Sequence, residues 1–155
     1  MKRAIAPTAL VTLFATVSVL GIVPRAQAQP GEGKQCSNAT LQGSFGFTST
    51  GTILPAFAPP PFAGPFGEIG RQTFDGKGNT EGTATSSANG NIVKLSFKGT
   101  YAVNPDCTGS MTFHVFELNA LVHADFVIDD EGAELRVILT ETNLVETRVY
   151  RKQFR

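Results

Sequence analysis

Residues 91–103 read NIVKLSFKGTYAV, and this stretch decides the fold class. Every second position carries an apolar or small residue, namely Val93, Leu95, Phe97, Gly99, Tyr101 and Val103. The positions between them suit water, and they include Lys94, Ser96, Lys98 and Thr100. A period of two is typical of a β-strand with one buried and one solvated face. Because one face is polar, the pattern favours an antiparallel sheet over a parallel one.

The same alternation recurs along the rest of the chain, with turn-forming residues between the segments. It predicts about eight strands, at 41–53, 67–74, 79–88, 91–103, 108–118, 121–129, 133–142 and 145–154. Asn89-Gly90 is a strong signal for a two-residue hairpin turn. Short connections favour sequential neighbours, so we expect an all-β antiparallel meander. A small closed barrel is favoured because closure removes exposed sheet edges, and a β-sandwich is the alternative.

The N-terminus carries the pattern of a secretory signal peptide. Lys2 and Arg3 precede an uncharged apolar run from Ala9 to Val23, and Ala26-Gln27-Ala28 has the small-x-small form of a cleavage site. The run is shorter than the roughly 20 residues that span a bilayer, so we expect no stable membrane insertion after cleavage. The sequence predicts a signal peptide over 1–28 and a single domain over 29–155. A secreted or periplasmic location in a bacterium follows from this prediction.

Charge and cysteine content narrow the possible partners. Cleavage after Ala28 removes three basic residues and no acidic ones, which leaves 10 basic against 13 acidic residues. A mildly acidic domain gains no electrostatic attraction to nucleic acid, which we therefore do not expect as a partner. In an oxidising compartment, the two cysteines, Cys36 and Cys107, are expected to form one disulfide. A loop of about 70 residues closed in this way contributes roughly 4 kcal/mol in the chain-entropy treatment.

Residues 54–66, LPAFAPPPFAGPF, depart from the strand pattern. Proline is excluded from the interior of a sheet, so this segment predicts a long loop between the first two strands. An apolar loop beside a barrel mouth suits either a functional lid or a plug over the core. Both interpretations remain open at this point.

Aromatic residues supply the candidate ligand-binding positions. On the predicted inner faces and in the loop these are Phe45, Phe47, Phe57, Phe62, Phe97, Tyr101, Phe113 and Phe126. An eight-stranded barrel has room for its own side chains or for one small ligand. The same phenylalanines could instead fill the interior completely.

Glu68 is the candidate acid–base residue. It follows the Pro-rich loop, and if the even positions of its strand face inward it points into the barrel mouth. A buried carboxyl group there would have a raised pKa and could donate or accept a proton.

His114, His123 and Asp125 are the weak candidates for a metal site. If Asn119-Ala120 forms a two-residue turn, His114 faces Asp125 across the hairpin and His123 lies on the same face. Two histidines and an aspartate could ligate a metal ion. That face is opposite the core face, where polar cross-strand neighbours are common, so no metal site is predicted.

Four ordered motifs resemble a known pattern. A cysteine followed by L-x-G-x-F-x-F (Cys36, then 41–47) precedes F-D-G-x-G-N (74–79), G-T-Y-x-V-N-x-D-C-T-G (99–109) and F-V-I-D-D-x-G-x-E (126–134). The chain resembles a group of small exported bacterial β-rich proteins of unassigned function. Its architecture is similar to calycin-type and allene-oxide-cyclase-like barrels, which include carriers of lipophilic ligands and cyclases.

Three functions are compatible with these observations. The first is a barrel that binds a small apolar molecule, and the second is a cyclase or isomerase that uses Glu68. The third is a structural or interaction module of the cell envelope with a filled core. The sequence contains no phosphate-binding loop, G-x-S-x-G or HExxH motif, and no cofactor is predicted.

Overall fold

The computed structural model describes residues 35–58 and 60–154 and contains eight β-strands. The predicted signal peptide lies outside these residues. The strands are β1 (Gln42–Ile53), β2 (Gly64–Asp75), β3 (Asn79–Ala88), β4 (Asn91–Val103), β5 (Thr108–Val115), β6 (Ala120–Asp129), β7 (Glu134–Leu139) and β8 (Leu144–Lys152). Two short 3₁₀ turns, Asn38–Thr40 and Asp130–Gly132, complete the elements. Within the described ranges, no helix has the length and apolarity needed to cross a membrane.

The strands form a closed antiparallel barrel in sequence order. Each strand pairs with the next, and β8 closes the ring on β1, with Phe47 opposite Tyr150 and Ile53 opposite Leu144. This confirms the all-β meander and the barrel, and it excludes the sandwich. Closure follows from the sequence pattern because every strand has one apolar face to bury and two edges to pair.

Several strand glycines pair with a phenylalanine on the neighbouring strand. Each of five strand glycines lies directly opposite a phenylalanine, in the pairs Gly51–Phe66, Gly70–Phe47, Gly82–Phe97, Gly99–Phe113 and Gly109–Phe126. In all five pairs, an added Cβ on the glycine would overlap the ring or a neighbouring backbone atom. Glycines allow the strands to bend into a small barrel, and the rings cover the exposed backbone at the bends. The glycines of the strands therefore leave room for the phenylalanine rings of the neighbouring strands.

The Pro-rich segment is shorter as a loop than the sequence predicts. Among the described residues the loop covers 54–58 and 60–63, whereas Pro65 and Phe66 belong to β2. Pro65 is tolerated because it lies at the exposed start of the strand, where a missing backbone donor costs little. Phe66 is buried in the core. The predicted boundary at residue 66 is therefore wrong by three residues.

The hairpin between β5 and β6 has a different register from the predicted one. His114 pairs with Leu121, and Thr112 pairs with His123. The turn spans four residues, with the Asn119 amide donating to the Phe116 carbonyl at 3.2 Å. The two-residue turn at Asn119-Ala120 is therefore wrong, and so is the predicted pairing of His114 with Asp125.

One end of the barrel is closed by the first residues of the domain. Leu41 is fully buried, and the Tyr101 hydroxyl donates to the carbonyls of Asn38 and Leu41 at 3.1 and 2.9 Å. The predicted Cys36–Cys107 disulfide is present and ties this segment to the turn between β4 and β5. The plug at this end is therefore the segment from Cys36 to Leu41, and the Pro-rich loop lies at the opposite end.

Candidate functional site

A cavity of about 490 Å³ opens at the end of the barrel beside the Pro-rich loop. Loop residues Phe57, Ala58 and Phe62 form one part of its wall. The strands supply an otherwise mostly apolar lining that includes Phe66, Ala88, Val93, Leu95, Phe113, Val115, Val122, Leu139 and Leu144. The size falls within the range of small-molecule sites, and an apolar wall with few polar groups is typical of them.

The loop is fixed to the barrel by side-chain amides. Asn89 and Asn91, at the turn between β3 and β4, both donate to the Pro61 carbonyl, at 3.0 and 3.2 Å. The Leu54 amide donates to the Asn143 carbonyl at 2.9 Å. The aromatic side chains of the loop are therefore held beside the cavity from two sides.

Three buried charged residues also line this cavity. Glu68 projects inward from β2, while Glu146 and Arg148 project inward from β8. Arg148 Nε donates a hydrogen bond to Glu146 Oε1, and Arg148 Nη2 lies 3.6 Å from Glu68 Oε1. All three side chains have 6% or less of their surface exposed. Charges this deeply buried are costly unless they are paired, so their presence in an apolar wall calls for an explanation.

Arg148 is held in place by stacking as well as by charge. Its guanidinium carbon lies 5.2 Å from the Phe47 ring centre and 5.3 Å from that of Phe113. A guanidinium between two aromatic faces gains cation–π attraction, which is stronger away from water. Arg148 is therefore a preorganised cation whose position does not depend on a ligand.

A polar chain continues from Arg148 into the filled half of the barrel. Arg148 Nη1 donates to the Tyr150 hydroxyl at 3.4 Å, and that hydroxyl donates to Gln72 Oε1 at 2.9 Å. Gln72 Nε2 then donates to the Thr80 hydroxyl at 2.8 Å. Because its members form hydrogen bonds with one another, this network can be buried. It orients Arg148 from the closed end of the barrel.

Glu68 is the least satisfied member of the charged group. Within the described residues its carboxylate accepts no hydrogen bond, and its ion pair with Arg148, at 3.6 Å, is longer than a hydrogen bond. Burial raises the pKa of Glu68 to about 7. Arg148 opposes this rise in pKa, whereas the nearby Glu146 carboxylate adds to it. Glu68 therefore changes charge near neutral pH while remaining inside the cavity.

Ser49 is an unsatisfied polar group in the same part of the barrel. Its position on β1 lies directly between Glu68 on β2 and Arg148 on β8. The hydroxyl is buried and has no hydrogen-bond partner among the described residues. Unsatisfied buried polar atoms are rare in folded proteins and often mark functional positions.

The predicted aromatic positions divide into two groups. Phe57, Phe62 and Phe113 line the cavity. The remaining five are buried core residues that do not line it, namely Phe45, Phe47, Phe97, Tyr101 and Phe126. The Phe45 ring packs edge-on against Phe74, which in turn packs against Tyr101. The barrel is thus filled at the closed end and hollow at the open end.

The weak metal-site candidates lie on the outer surface and are not grouped. His123 Nδ1 lies 2.7 Å from Glu141 Oε1, and His114 Nε2 lies 3.1 Å from Asn119 Oδ1. Asp125 is exposed and pairs in register with Ser110 and Ile138. Within residues 35–58 and 60–154, no group of three or more His, Cys, Asp or Glu could hold a metal ion.

Sequence reasoning found Glu68 but missed Glu146 and Arg148. In the final strand, LVETRVYRK, both sets of alternating positions contain apolar residues. Valines occupy one set, and Leu144 and Tyr150 occupy the other. Burial of the second set places Glu146 and Arg148 inside the barrel. The available signal was the presence of Leu144 and Tyr150 at the same parity as the two charged residues.

Comparison with known proteins supports the architecture only. No protein-family model matches the chain, and no curated protein matches it. A solved structure described as a redesigned beta barrel is similar, with a TM-score of 0.54 and 16% sequence identity. The match covers 76% of this chain and 95% of the designed one. At that identity the likeness shows the fold alone, and the resemblance to exported bacterial proteins and calycin-type barrels remains a prediction.

Proposed function

We propose that this protein binds a small molecule with a largely apolar body in the open-end cavity of the barrel. The observation that carries the proposal is the cavity of about 490 Å³, walled by aliphatic and aromatic side chains and held beside a fixed aromatic loop. A barrel needs no such space for stability, since the closed end shows that the same fold packs its core completely.

The test is binding of a neutral apolar fluorophore, N-phenyl-1-naphthylamine, to the purified domain. Ala58→Trp places a bulky ring in the cavity wall and should abolish the fluorescence increase. Ala102→Trp adds the same ring at an exposed position on the outside of β4 and is the matched control. Equal binding by both variants and the wild type would contradict the proposal. Loss of binding in Ala58→Trp alone would support it.

Acid–base catalysis in the same cavity is the second candidate function. A specific observation favours it, because Glu68 is buried in the cavity with its pKa raised to about 7, close to the value suited to proton transfer at neutral pH. The test is hydrogen–deuterium exchange at the α-carbon of acetophenone in D₂O, with the wild type and Glu68→Gln. Faster exchange with the wild type supports catalysis, and equal rates argue against it.

An exported location is part of the same proposal. The disulfide by itself indicates no more than a non-reducing compartment. The signal peptide that the sequence predicts over 1–28 would account for delivery of the protein to such a compartment. N-terminal sequencing of the protein from a bacterial host's exported fraction should begin at Gln29. Recovery of an uncleaved N-terminus in the cytoplasm would contradict export.

A further inference from the structure

The charges that line the cavity do not balance. Two buried carboxyl groups, Glu68 and Glu146, face one buried guanidinium, Arg148. Arg148 is hydrogen bonded to Glu146 and only approaches Glu68. With every group ionised, the site carries one excess negative charge in an apolar setting, and Glu68, whose ion pair with Arg148 is the longer of the two, is the more weakly paired carboxylate. A buried charge that is only weakly paired is unfavourable and gains from a cation placed next to it.

Apart from Arg148, the described side chains around Glu68 supply no cation. Its neighbour on β1 is Ser49, and its register partner on β3 is Ser86, which also lines the cavity. From β8 come Glu146 and Arg148, with Tyr150 one position deeper. Among the described residues that line the cavity there is no lysine or histidine, and the remaining ionisable one is Glu117.

Glu117 already has partners outside the cavity. It is an exposed residue, and its carboxylate accepts hydrogen bonds from the Ser96 amide at 2.8 Å and the Ser96 hydroxyl at 2.6 Å. It is therefore a solvated carboxylate at the rim rather than a member of the buried group. This difference makes it a useful control.

We propose that the cavity selects amphipathic amines, with the ligand's ammonium group against Glu68 and its apolar body against the aromatic loop. This inference deepens the proposed binding function and rests on it. The apolar wall fits the body of such a ligand, and the missing positive charge fits its head group. Ser49, which has an unpartnered hydroxyl beside Glu68, supplies a further acceptor for an ammonium hydrogen.

The charge state of Glu68 gives the proposal a distinct pH dependence. A proton and a ligand ammonium compete for the same carboxylate. Because the pKa of Glu68 is about 7, amine affinity should fall below neutral pH, by up to about tenfold for each pH unit. A carboxylate ligand would show the opposite trend, since it would bind better once Glu68 is protonated.

The experiment compares three amphiphiles with the same alkyl chain, decylamine, decanol and decanoate, by calorimetry at concentrations where each is dissolved as a monomer. We expect decylamine to bind the wild-type domain about tenfold or more tightly than decanol at pH 8, as a charge-assisted contact implies. Decanoate should bind more weakly than decanol at that pH. The preference for decylamine should decline between pH 8 and pH 5.5.

Two variants test the charge count by independent routes. Glu68→Gln removes the excess negative charge, and Glu146→Gln frees Arg148 to neutralise Glu68. Both should lose the preference for decylamine over decanol. Glu117→Gln, the rim control, should keep that preference. Near-ultraviolet circular dichroism confirms that each variant is folded, and having two variants keeps the test valid if one fails to fold.

The possible outcomes separate this inference from the proposed function. Binding of decanol without any preference for decylamine would overturn the selectivity and leave the binding function intact. Retention of the preference in both buried-site variants, or its loss in Glu117→Gln, would also overturn it. Failure of all three amphiphiles to bind the wild type would overturn both proposals.

Discussion

Replacing Glu68 with glutamine should make the stability of the protein less sensitive to pH in a defined window. The pKa of Glu68 is raised from 4.5 to about 7 in the folded protein, chiefly by burial. Between these values the folded protein holds a proton that the unfolded chain has lost, so wild-type stability falls as pH rises. Below pH 4.5 both states are protonated, and above pH 7 the cost is complete.

The size of the effect follows from the difference between the two pKa values. At about 1.36 kcal/mol per pH unit, it corresponds to about 3 kcal/mol. Glutamine has nearly the same shape as the protonated acid and does not titrate. The stability of the variant relative to the wild type should therefore increase by about 3 kcal/mol between pH 4.5 and pH 8.

Urea unfolding of both proteins at half-unit pH intervals measures this difference. The chain has no tryptophan, so far-ultraviolet circular dichroism is the suitable signal. Glu117→Gln is the control, because hydrogen bonds from Ser96 lower the pKa of the exposed Glu117 and confine its effect to acid pH. A difference between wild type and Glu68→Gln that stays constant from pH 4.5 to pH 8 would refute the reasoning.

Three further predictions concern stability. Gly99→Ala should destabilise the barrel by about 1–3 kcal/mol, because the new Cβ would overlap backbone atoms of the neighbouring strand. Gly67→Ala is the control and should be near neutral, because the space around Gly67 is open. Thermal unfolding of the two variants measures the difference. Removing the Cys36–Cys107 disulfide, whose cysteines are 71 positions apart, should cost about 4 kcal/mol, and urea unfolding with and without reductant tests this loss. Arg148→Met should destabilise the protein by about 3–5 kcal/mol at pH 8, because it leaves two buried carboxylates unpaired. The loss should be smaller at pH 5, where Glu68 is protonated, and an equal loss at both pH values would contradict this explanation.

The strands were predictable because their signal is local. Alternation within a segment such as 91–103 identifies both a strand and its buried face, and the structure gives β4 the same bounds. Register was less predictable. The predicted and observed pairings of His114 differ by four residues, an even number, so every side chain keeps its face. Because side chains alternate with a period of two, the sequence pattern cannot detect such a shift.

The candidate site likewise combines a residue that the sequence identified with partners that the sequence did not identify. The sequence placed Glu68 inside the barrel only on the condition that the even positions of β2 face inward, and in the structure they do. The partners of Glu68 come from β8, where Glu146 lies 78 positions further along the chain. They reach Glu68 only because β8 closes the ring against β1. A carboxyl group in the sequence therefore becomes a group with a raised pKa only after closure sets its neighbours and excludes water.

The sequence alone thus determined the β-strands, the meander and the disulfide partners, since each depends on local alternation or on simple pairing. Tertiary structure decided which end of the barrel is filled, where the loop lies and which charges meet. These features depend on contacts between distant strands. Side-chain volume and burial, which set the cavity and its uncompensated charge, are properties of the closed barrel as a whole.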